Sequence, residues 1–253
     1  MSTEKTEALV IRLVDFSETS RVVTLFTRDF GRVSALAKGG RRLKGPFESA
    51  LDLLATCRIV FIRKRSDALD LLTEAHLVWR YRPDNLFALY SGYYIAELLE
   101  ALTEPYDPYP LVYDTAQDVL RRLQDGLDPR RAVLRFELVT LREIGLLPDF
   151  QGCAHCGEPL GRGGYVYWIS AGGLLCQRCR AYDAARQEIH AGSIAALKRL
   201  ADPAARQWQT LSLSPQQFHE LRYFTTSTIS HIIGRRPRTL RYLESLDRKK
   251  PGR

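Results

Sequence analysis

Four of the five cysteines fall into two identical pairs, Cys153-Ala-His-Cys156 and Cys176-Gln-Arg-Cys179, with nineteen residues between them. Two intervening residues let both sulfurs of a tight turn point at one ion, and four thiolates suit a tetrahedral zinc ion. The segment is too short to order itself by burial alone, so metal binding would supply folding energy on the order of 10 kcal/mol. We predict one structural Zn²⁺ ion in a zinc-binding insert at residues 151–180, held by Cys153, Cys156, Cys176 and Cys179.

Two other interpretations of this segment remain open from the residues alone. The pairs could be redox dithiols, and His155 could replace one cysteine as a ligand. When four sulfurs fill the coordination sphere of a zinc ion, no position is left for a reactive water molecule. A zinc-dependent hydrolase would therefore need a different set of ligands. The fifth cysteine, Cys57, lies in an apolar strand and is predicted to be inert core.

A basic, glycine-rich loop is the second feature whose residue types could form a binding site. It spans residues 38–46 and contains Gly39 and Gly40 among four cations, and further cations follow a strand near residue 63. Lysine and arginine neutralise phosphates, and glycines let a backbone approach them closely. We predict a DNA-binding surface from Lys38, Arg41, Arg42, Lys44, Arg63 and Arg65. Phe47 and Phe61 are either stacking platforms for bases or core residues, and the cations near residue 63 could be a solvated strand end.

A third basic cluster follows the last long helical pattern and contains Pro237 as a rigid element. It either extends a phosphate track or places cations at helix C-termini, where they are favourable. The predicted DNA-binding residues here are Arg235, Arg236, Arg238 and Arg241.

Signatures of catalysis are missing from the chain. The spacing Gly40-x4-Gly45 is followed by Pro46 where a phosphate-binding loop needs lysine, and no G-x-S-x-G or H-E-x-x-H motif occurs. The five histidines are scattered without ligand spacing. The sequence therefore predicts a protein that is not an enzyme.

The sequence pattern changes near residue 80 from one typical of β-strands to one typical of α-helices. Five apolar or β-branched runs in residues 6–80, with a turn at Arg28-Asp29-Phe30-Gly31, favour a small OB-type (oligonucleotide-binding) β-barrel. Helical periodicity follows, with Asp84, Ser193 and Ser214 as expected N-caps and Pro215 at a first helical position. We predict an α+β fold: a nucleic-acid-binding barrel at 1–80, a helical domain at 81–150 and 181–253, and the zinc-binding insert between them.

Composition narrows the class of protein further. The 253 residues are 45% hydrophobic and 26% charged, which is typical of a globular protein and not of a disordered one. No uncharged apolar run reaches 18 residues and the first residues are acidic, so we expect no membrane partner and a cytoplasmic location.

The formal net charge of +8 is unevenly distributed: residues 1–80 carry +4, residues 81–179 carry −4 and residues 180–253 carry +8. A basic surface attracts polyanions, so nucleic acid is the first partner to consider, with a solubility charge as the simpler alternative.

Three stretches resemble the RecO family of bacterial DNA repair proteins: residues 17–32, Ala37-Lys38-Gly39-Gly40-Arg41-Arg42, and His231 to Leu240. The resemblance implies an N-terminal oligonucleotide-binding barrel, a helical domain and a zinc-finger-like insert. It implies binding of single- and double-stranded DNA, strand annealing and a nucleoid-associated location. It also implies partnership with RecR and contact with the C-terminal tail of single-strand-binding protein, which permits recombinase loading in the RecF pathway. The alternative from a different class is an RNA-associated zinc-binding protein of translation or transcription.

Overall fold

The computed structural model divides the chain into two compact units, Met1–Gly126 together with Arg238–Arg253, and Leu127–Pro237. The structure describes residues 2–42, 45, 47, 50–64, 68–148, 150–160, 164–182 and 187–248.

The first unit is built on a closed five-stranded barrel. Its strands are β1 (Ser2–Asp15), β2 (Arg21–Thr27), β3 (Gly31–Ala37), β4 (Ala55–Arg63) and β5 (Asp70–Arg80). The strand order is β1-β2-β3-β5-β4, and β4 pairs back to β1, which closes the barrel. Only the β3–β5 pair is parallel; the other pairs are antiparallel. The predicted OB-type barrel is confirmed.

Strand β1 is long because it pairs with two neighbouring strands along different parts of its length. Its first half pairs with β4 from Ser2, and its second half pairs with β2 as far as Asp15. The strand therefore begins at Ser2, before the region of residues 6–80 in which the sequence predicts strands. A register shift between Val10 and Arg12 bends it around the barrel. Side chains alternate between the two faces, so Val33, Ala35 and Ala37 of β3 fill the interior.

The β2–β3 hairpin turns at the predicted Arg28–Gly31 segment. Gly31 has a φ of +65°, and an added Cβ would lie 2.0 Å from the carbonyl oxygen of Asp107. Only glycine satisfies both constraints, because other residues meet a steric penalty at positive φ and would collide with the neighbouring backbone.

Helices α1 (Leu86–Leu102), α2 (Pro110–Gln124) and α6 (Leu240–Arg248) complete the first unit. The N-cap of α1 is Asn85, whose side-chain oxygen accepts from the Ala88 N–H at 2.8 Å. The expected cap, Asp84, lies one residue too early and instead accepts a hydrogen bond from the Asn85 amide. Tyr113 of α2 packs near Phe26, with ring centroids 6.4 Å apart, and so covers the outer face of β2.

The second unit combines helices with a small sheet. Its elements are α3 (Pro129–Glu143), β6 (Gly164–Trp168), β7 (Gly173–Leu175), β8 (Glu188–His190), α4 (Ala191–Ala201) and α5 (Pro215–Ile232), and the sheet order is β7-β6-β8. The helix α5 begins as predicted, with Ser214 and Gln217 forming a capping box and Pro215 at the first position.

The expected N-cap Ser193 is wrong. Strand β8 runs directly into α4, so Ser193 lies inside the helix and is buried. The cap position belongs to His190, whose backbone N–H donates to Glu220 Oε2 at 2.9 Å. A carboxylate from α5 therefore accepts the N–H of the cap residue itself, and the His190 side chain makes no cap hydrogen bond to α4.

Within the described part of the chain, no helix combines the length and the apolar character that crossing a membrane would require.

Candidate functional site

The basic loop leaves strand β3 through two consecutive tight turns. The N–H of Gly40 donates to Ala37 O at 3.2 Å, and the N–H of Arg42 donates to Gly39 O at 3.0 Å. Gly39 has a φ of +78°, which favours glycine there. An added Cβ on Gly40 would lie 3.1 Å from Ala37 O and 3.2 Å from Ala37 Cβ. The two glycines therefore shape the turn against the barrel, which is a different use from the expected approach to phosphate.

Residue Arg41 fastens this loop to the β1–β2 connection at residues 16–20. Its backbone N–H donates to Thr19 O at 3.1 Å, and its guanidinium donates to Ser17 O at 2.9 Å. The same guanidinium lies 3.5 Å from Asp15, which also pairs with Arg21 at 2.9 Å. The charge of Arg41 is therefore partly offset, and its contacts hold two loops together.

Exposed cations remain at this end of the barrel. Lys38, Arg42, Arg63 and Lys64 are exposed, and none of them pairs with a carboxylate among the residues that the structure describes. Leu36 and Ile62 are both paired with Leu71, so Lys38 and Arg63, which follow shortly after them, lie at the same end. Two predicted site residues, Lys44 and Arg65, lie outside the described residues.

The guanidinium of Arg63 is held over the ring of Tyr106, 4.1 Å from its centroid. The Tyr106 hydroxyl donates to Asp70, a carboxylate that is 1% exposed and also accepts the Lys64 N–H at 2.9 Å. Burial, and then this hydrogen bond, raise the pKa of Tyr106. The phenol therefore stays neutral and presents its face to the cation, which positions the charge of Arg63.

The structure shows whether the two aromatic side chains singled out in the sequence are core residues or exposed stacking platforms. Phe47 and Phe61 are both buried in the barrel core, so neither ring is available to a base. A different aromatic residue is exposed beside the cations: Phe16, directly after β1, has 64% of its surface exposed. Phe16 is not among the binding residues predicted from the sequence. It could have been found from the sequence, because it is the single aromatic residue in the polar run Asp15-Phe16-Ser17-Glu18-Thr19-Ser20, where an apolar side chain is expected to be exposed.

The third basic cluster joins α5 to α6. Arg235, Arg236, Arg238 and Arg241 are all exposed. Helix α5 ends at Ile232, and Gly234 follows with a φ of +68°. The division between the two units falls after Pro237 and so separates the first two arginines from the last two.

Within the first unit, Glu97 of α1 accepts hydrogen bonds from the residues that directly precede α6. Its carboxylate accepts the N–H groups of Arg238 and Thr239 at 2.7 and 2.8 Å, and the Thr239 hydroxyl at 2.6 Å. These three hydrogen bonds fix the residues that precede α6 to α1. Arg241 lies over the ring of Tyr242, which stacks on Tyr90 at 5.0 Å.

The four paired cysteines converge in the second unit. Their sulfurs all lie within 4.8 Å of one another, and those of Cys156 and Cys176 are 3.9 Å apart. A zinc–sulfur bond of about 2.3 Å implies a sulfur–sulfur edge of about 3.8 Å in a tetrahedron. The same distances exclude a disulfide, which needs about 2.05 Å, and all four residues are free thiols. The cluster can therefore hold one metal ion.

Strands β6 and β7 bring the two turns together. Cys153 bridges to Leu174 of β7, and Ala154 N–H donates to Leu174 O at 2.8 Å. Cys153, Cys176 and Cys179 pack in a small apolar cluster with Val166 and Leu175, whereas Cys156 is exposed. The β6–β7 hairpin therefore places the two Cys-x2-Cys turns side by side.

The sulfurs are electrostatically unequal. Burial raises the pKa of Cys153, but N–H groups of Cys156, Cys176 and His155 outweigh it and lower that pKa to about 6. Burial, reinforced by the neighbouring sulfurs, raises the pKa of Cys179 to about 12. Four thiolates cannot share so small a volume without a cation between them, which is a donor set suited to a soft divalent ion.

Comparison with known proteins covers almost the entire chain. The family model described as "Recombination protein O N terminal" matches residues 1–81, and the one described as "Recombination protein O C terminal" matches residues 83–241. The DNA repair protein RecO of Rhodopirellula baltica is 35% identical over 262 aligned residues, covering 93% of this chain and 97% of that protein.

Two further relatives show the same pattern. The DNA repair protein RecO of Anaeromyxobacter dehalogenans is 34% identical over 251 residues, which cover 97% of this chain and 98% of the relative. The protein of the same name from Listeria monocytogenes is 29% identical over 188 residues, covering 74% and 72%. Two family models in sequence order and a full-length relative above 30% identity place this chain in the RecO family of DNA repair proteins.

Proposed function

We propose that this protein is a non-enzymatic, DNA-binding recombination mediator that acts in DNA repair. The observation that carries the proposal is its membership of the RecO family along almost its whole length. In this role it anneals complementary strands and, with RecR, helps to load recombinase onto DNA coated by single-strand-binding protein in the RecF pathway. Its place in the cell is then the cytoplasm, in association with the nucleoid.

The barrel, residues 1–80, is the domain that contacts DNA in this proposal. Exposed Lys38, Arg42 and Arg63 lie at one end of it, and each neutralised phosphate releases condensed counterions. Cations held in this way bind both single- and double-stranded DNA with little sequence preference. Neutralising two strands on one surface removes their mutual repulsion, which is what annealing requires.

The cluster of Arg235, Arg236, Arg238 and Arg241 is proposed as a second set of phosphate contacts, and Lys44 and Arg65 as further members of the barrel surface. The exposure of the four arginines supports the first assignment. Membership of the RecO family is also the ground on which we propose RecR and the C-terminal tail of single-strand-binding protein as partners.

We assign Zn²⁺ to the cysteine cluster, with Cys153, Cys156, Cys176 and Cys179 as its four ligands. The sulfur spacing supports a closed, structural site, because the four side chains that converge are all cysteines. A bound ion neutralises the thiolates and locks the two turns to each other. The chain's own contribution is the β6–β7 hairpin, which aligns those turns.

The decisive experiment is strand annealing in the presence of single-strand-binding protein, with its C-terminal residues either intact or deleted. We expect annealing of strands coated by the intact protein and much slower annealing of strands coated by the deleted one. A pull-down with RecR runs in parallel. Annealing that does not depend on this protein, or a strong preference for structured RNA in competition, contradicts the proposal.

A further inference from the structure

Five apolar side chains form a continuous row across the outside of the barrel. The strand register pairs Val14 with Val22, Val22 with Leu36, Leu36 with Leu71, and Leu71 with Ile62. Paired residues of neighbouring strands point to the same face, so the five side chains adjoin one another from β1 through β2, β3 and β5 to β4. We call them the apolar row.

The row faces outward because the residues beside it in each strand face inward. Val23, Ala35, Ala37, Phe61 and Leu72 are buried in the barrel core, and alternation directs their neighbours to the other face. Val22, Leu36, Leu71 and Ile62 are partly exposed, and Val14 is 44% exposed. Helix α2 covers the outer face of β2 at Phe26, but the row lies nearer the opposite end of that strand.

Phe16 extends the row at its β1 end. Its ring is 64% exposed, yet its backbone is well held: the N–H groups of Phe16 and Ser17 both donate to Ser20 O, at 3.0 and 3.2 Å. The two bonds from Arg41 to Thr19 and Ser17 brace the same connection from outside. A fixed, exposed ring loses little conformational entropy when another flat group stacks on it.

The charged residues around the apolar row indicate which kind of ligand would bind to it. Lys38 and Arg63 follow the row residues Leu36 and Ile62 almost directly, and Lys64 comes next. Among the described residues, none of the three charged side chains forms an ion pair with a carboxylate. An apolar surface edged by cations complements a chain that carries both flat apolar groups and regular negative charge, and single-stranded nucleic acid is such a chain. A duplex presents its phosphates but keeps its bases inside the stack.

We propose that Phe16 and the apolar row form a stacking platform for unpaired bases, so that the barrel, which binds both forms of DNA through its cations, binds single strands more tightly than duplex. In this arrangement Lys38, Arg42 and Arg63 hold phosphates, whereas Arg41 is a positioning residue that keeps Phe16 in place. The proposal rests on the proposed function, because it concerns the same DNA-binding end of the barrel. It adds the residue that discriminates between the two forms of DNA.

The test compares Phe16→Ala, Phe16→Trp and the wild-type full-length protein. Binding is measured by anisotropy over a salt series with labelled oligothymidine of roughly 20 nucleotides, which exceeds the length one OB-type barrel covers, and with a duplex of equal length. We expect Phe16→Ala to bind the single strand about tenfold more weakly, with unchanged duplex affinity and an unchanged salt slope. Phe16→Trp keeps the affinity, and its added indole fluorescence is quenched by the oligonucleotide.

Leu86→Ala is the matched control, because Leu86 is also a large apolar residue, 60% exposed, on α1 of the same unit. It should bind like the wild type. Equal single-strand affinity of Phe16→Ala and the wild type overturns the platform, as does an equal loss for both forms of DNA. If the wild type itself fails to bind either form, the proposed function fails as well, so the two failures are distinguishable.

Discussion

The guanidinium of Arg41 donates to the carbonyl oxygen of Ser17 at 2.9 Å and thereby joins the basic loop to the β1–β2 connection. Its neighbour Arg42 is exposed and makes no ion pair with a carboxylate of the described residues. Two adjacent arginines that look equivalent in the sequence therefore have different surroundings. One is committed to the fold of the loops, and the other is available to a ligand.

This difference predicts different salt dependence for the two alanine variants. Arg42→Ala should weaken binding of all DNA forms and reduce the slope of log K against log salt by about one, because one phosphate contact is lost. Arg41→Ala should weaken single-strand binding more than duplex binding and change the slope less, because the loop loses its brace. Anisotropy titrations at several salt concentrations make the comparison. Identical slopes for the two variants would show that their roles do not differ.

The cysteine cluster predicts a metal content of about one zinc per chain, as a single tetrahedral site requires. Cys176→Ser should lower that content and loosen the β6–β7 hairpin, since three sulfurs hold the ion less tightly. Elemental analysis of the purified protein measures the first effect, and limited proteolysis measures the second.

Cys57→Ala is the control for the cysteine cluster. Cys57 is buried in the barrel, where its thiol donates to Ala50 O at 3.1 Å and burial raises its pKa to about 12. Its removal should leave the zinc content unchanged. Zinc that persists in Cys176→Ser but falls in Cys57→Ala would refute the assignment.

A buried ion pair in the second unit predicts a large stability effect. Glu137 of α3 has no exposed surface, and Arg222 of α5 donates to its Oε2 at 2.6 Å. Arg222→Leu should lower the free energy of unfolding by about 3 to 5 kcal/mol, because the carboxylate is left buried without its cation. The double variant Glu137→Leu/Arg222→Leu should recover much of that loss. Chemical denaturation measures both, and equal losses for the single and double variants would contradict the explanation.

The contact between Glu220 and the start of α4 predicts how stability depends on pH. Burial alone would raise the pKa of Glu220, but the nearby Ser193 side chain and hydrogen bonds from the His190 N–H, the Gln216 amide and the His190 ring outweigh it and lower the pKa. A carboxylate with a lowered pKa in the folded state stabilises the protein above its ordinary pKa of about 4.3. That contribution disappears as the pH falls through the lowered value.

Glu220→Gln tests this dependence. At neutral pH the variant should melt at a lower temperature than the wild type, because a neutral amide accepts the three hydrogen bonds less strongly. Below about pH 4.3 the difference should shrink, since the wild-type carboxylate becomes protonated too. Melting temperatures across the acidic range provide the measurement. A difference that stays constant down to the lowest pH would show that the charge of Glu220 contributes nothing.

Local patterns predicted much of the fold correctly. The Ser214-Pro215 start of α5 and the Arg28–Gly31 turn are set by neighbours in the chain, and both occur as expected. The two Cys-x2-Cys pairs predicted the cluster for the same reason: each pair is local, and the hairpin between them is short. The expected cap at Ser193 was wrong because strand β8 leads directly into α4, which places Ser193 inside the helix. The expected cap at Asp84 was wrong by one residue because the side chain of the adjacent Asn85 accepts the Ala88 N–H.

By itself, the sequence of this protein determined the type of barrel, the convergence of the four paired cysteines and the presence of exposed positive charge, because each depends on residue type and short spacing. Only the tertiary structure decided which side chains are available to a ligand. Phe61 and Phe16 are both aromatic residues near cations, yet strand alternation buries the first in the core and the end of β1 exposes the second. Likewise, Arg41 and Arg42 differ only because the fold brings Ser17 and Thr19 to one of them. Contacts between residues distant in the chain arise only when the barrel closes, so no local pattern carries them.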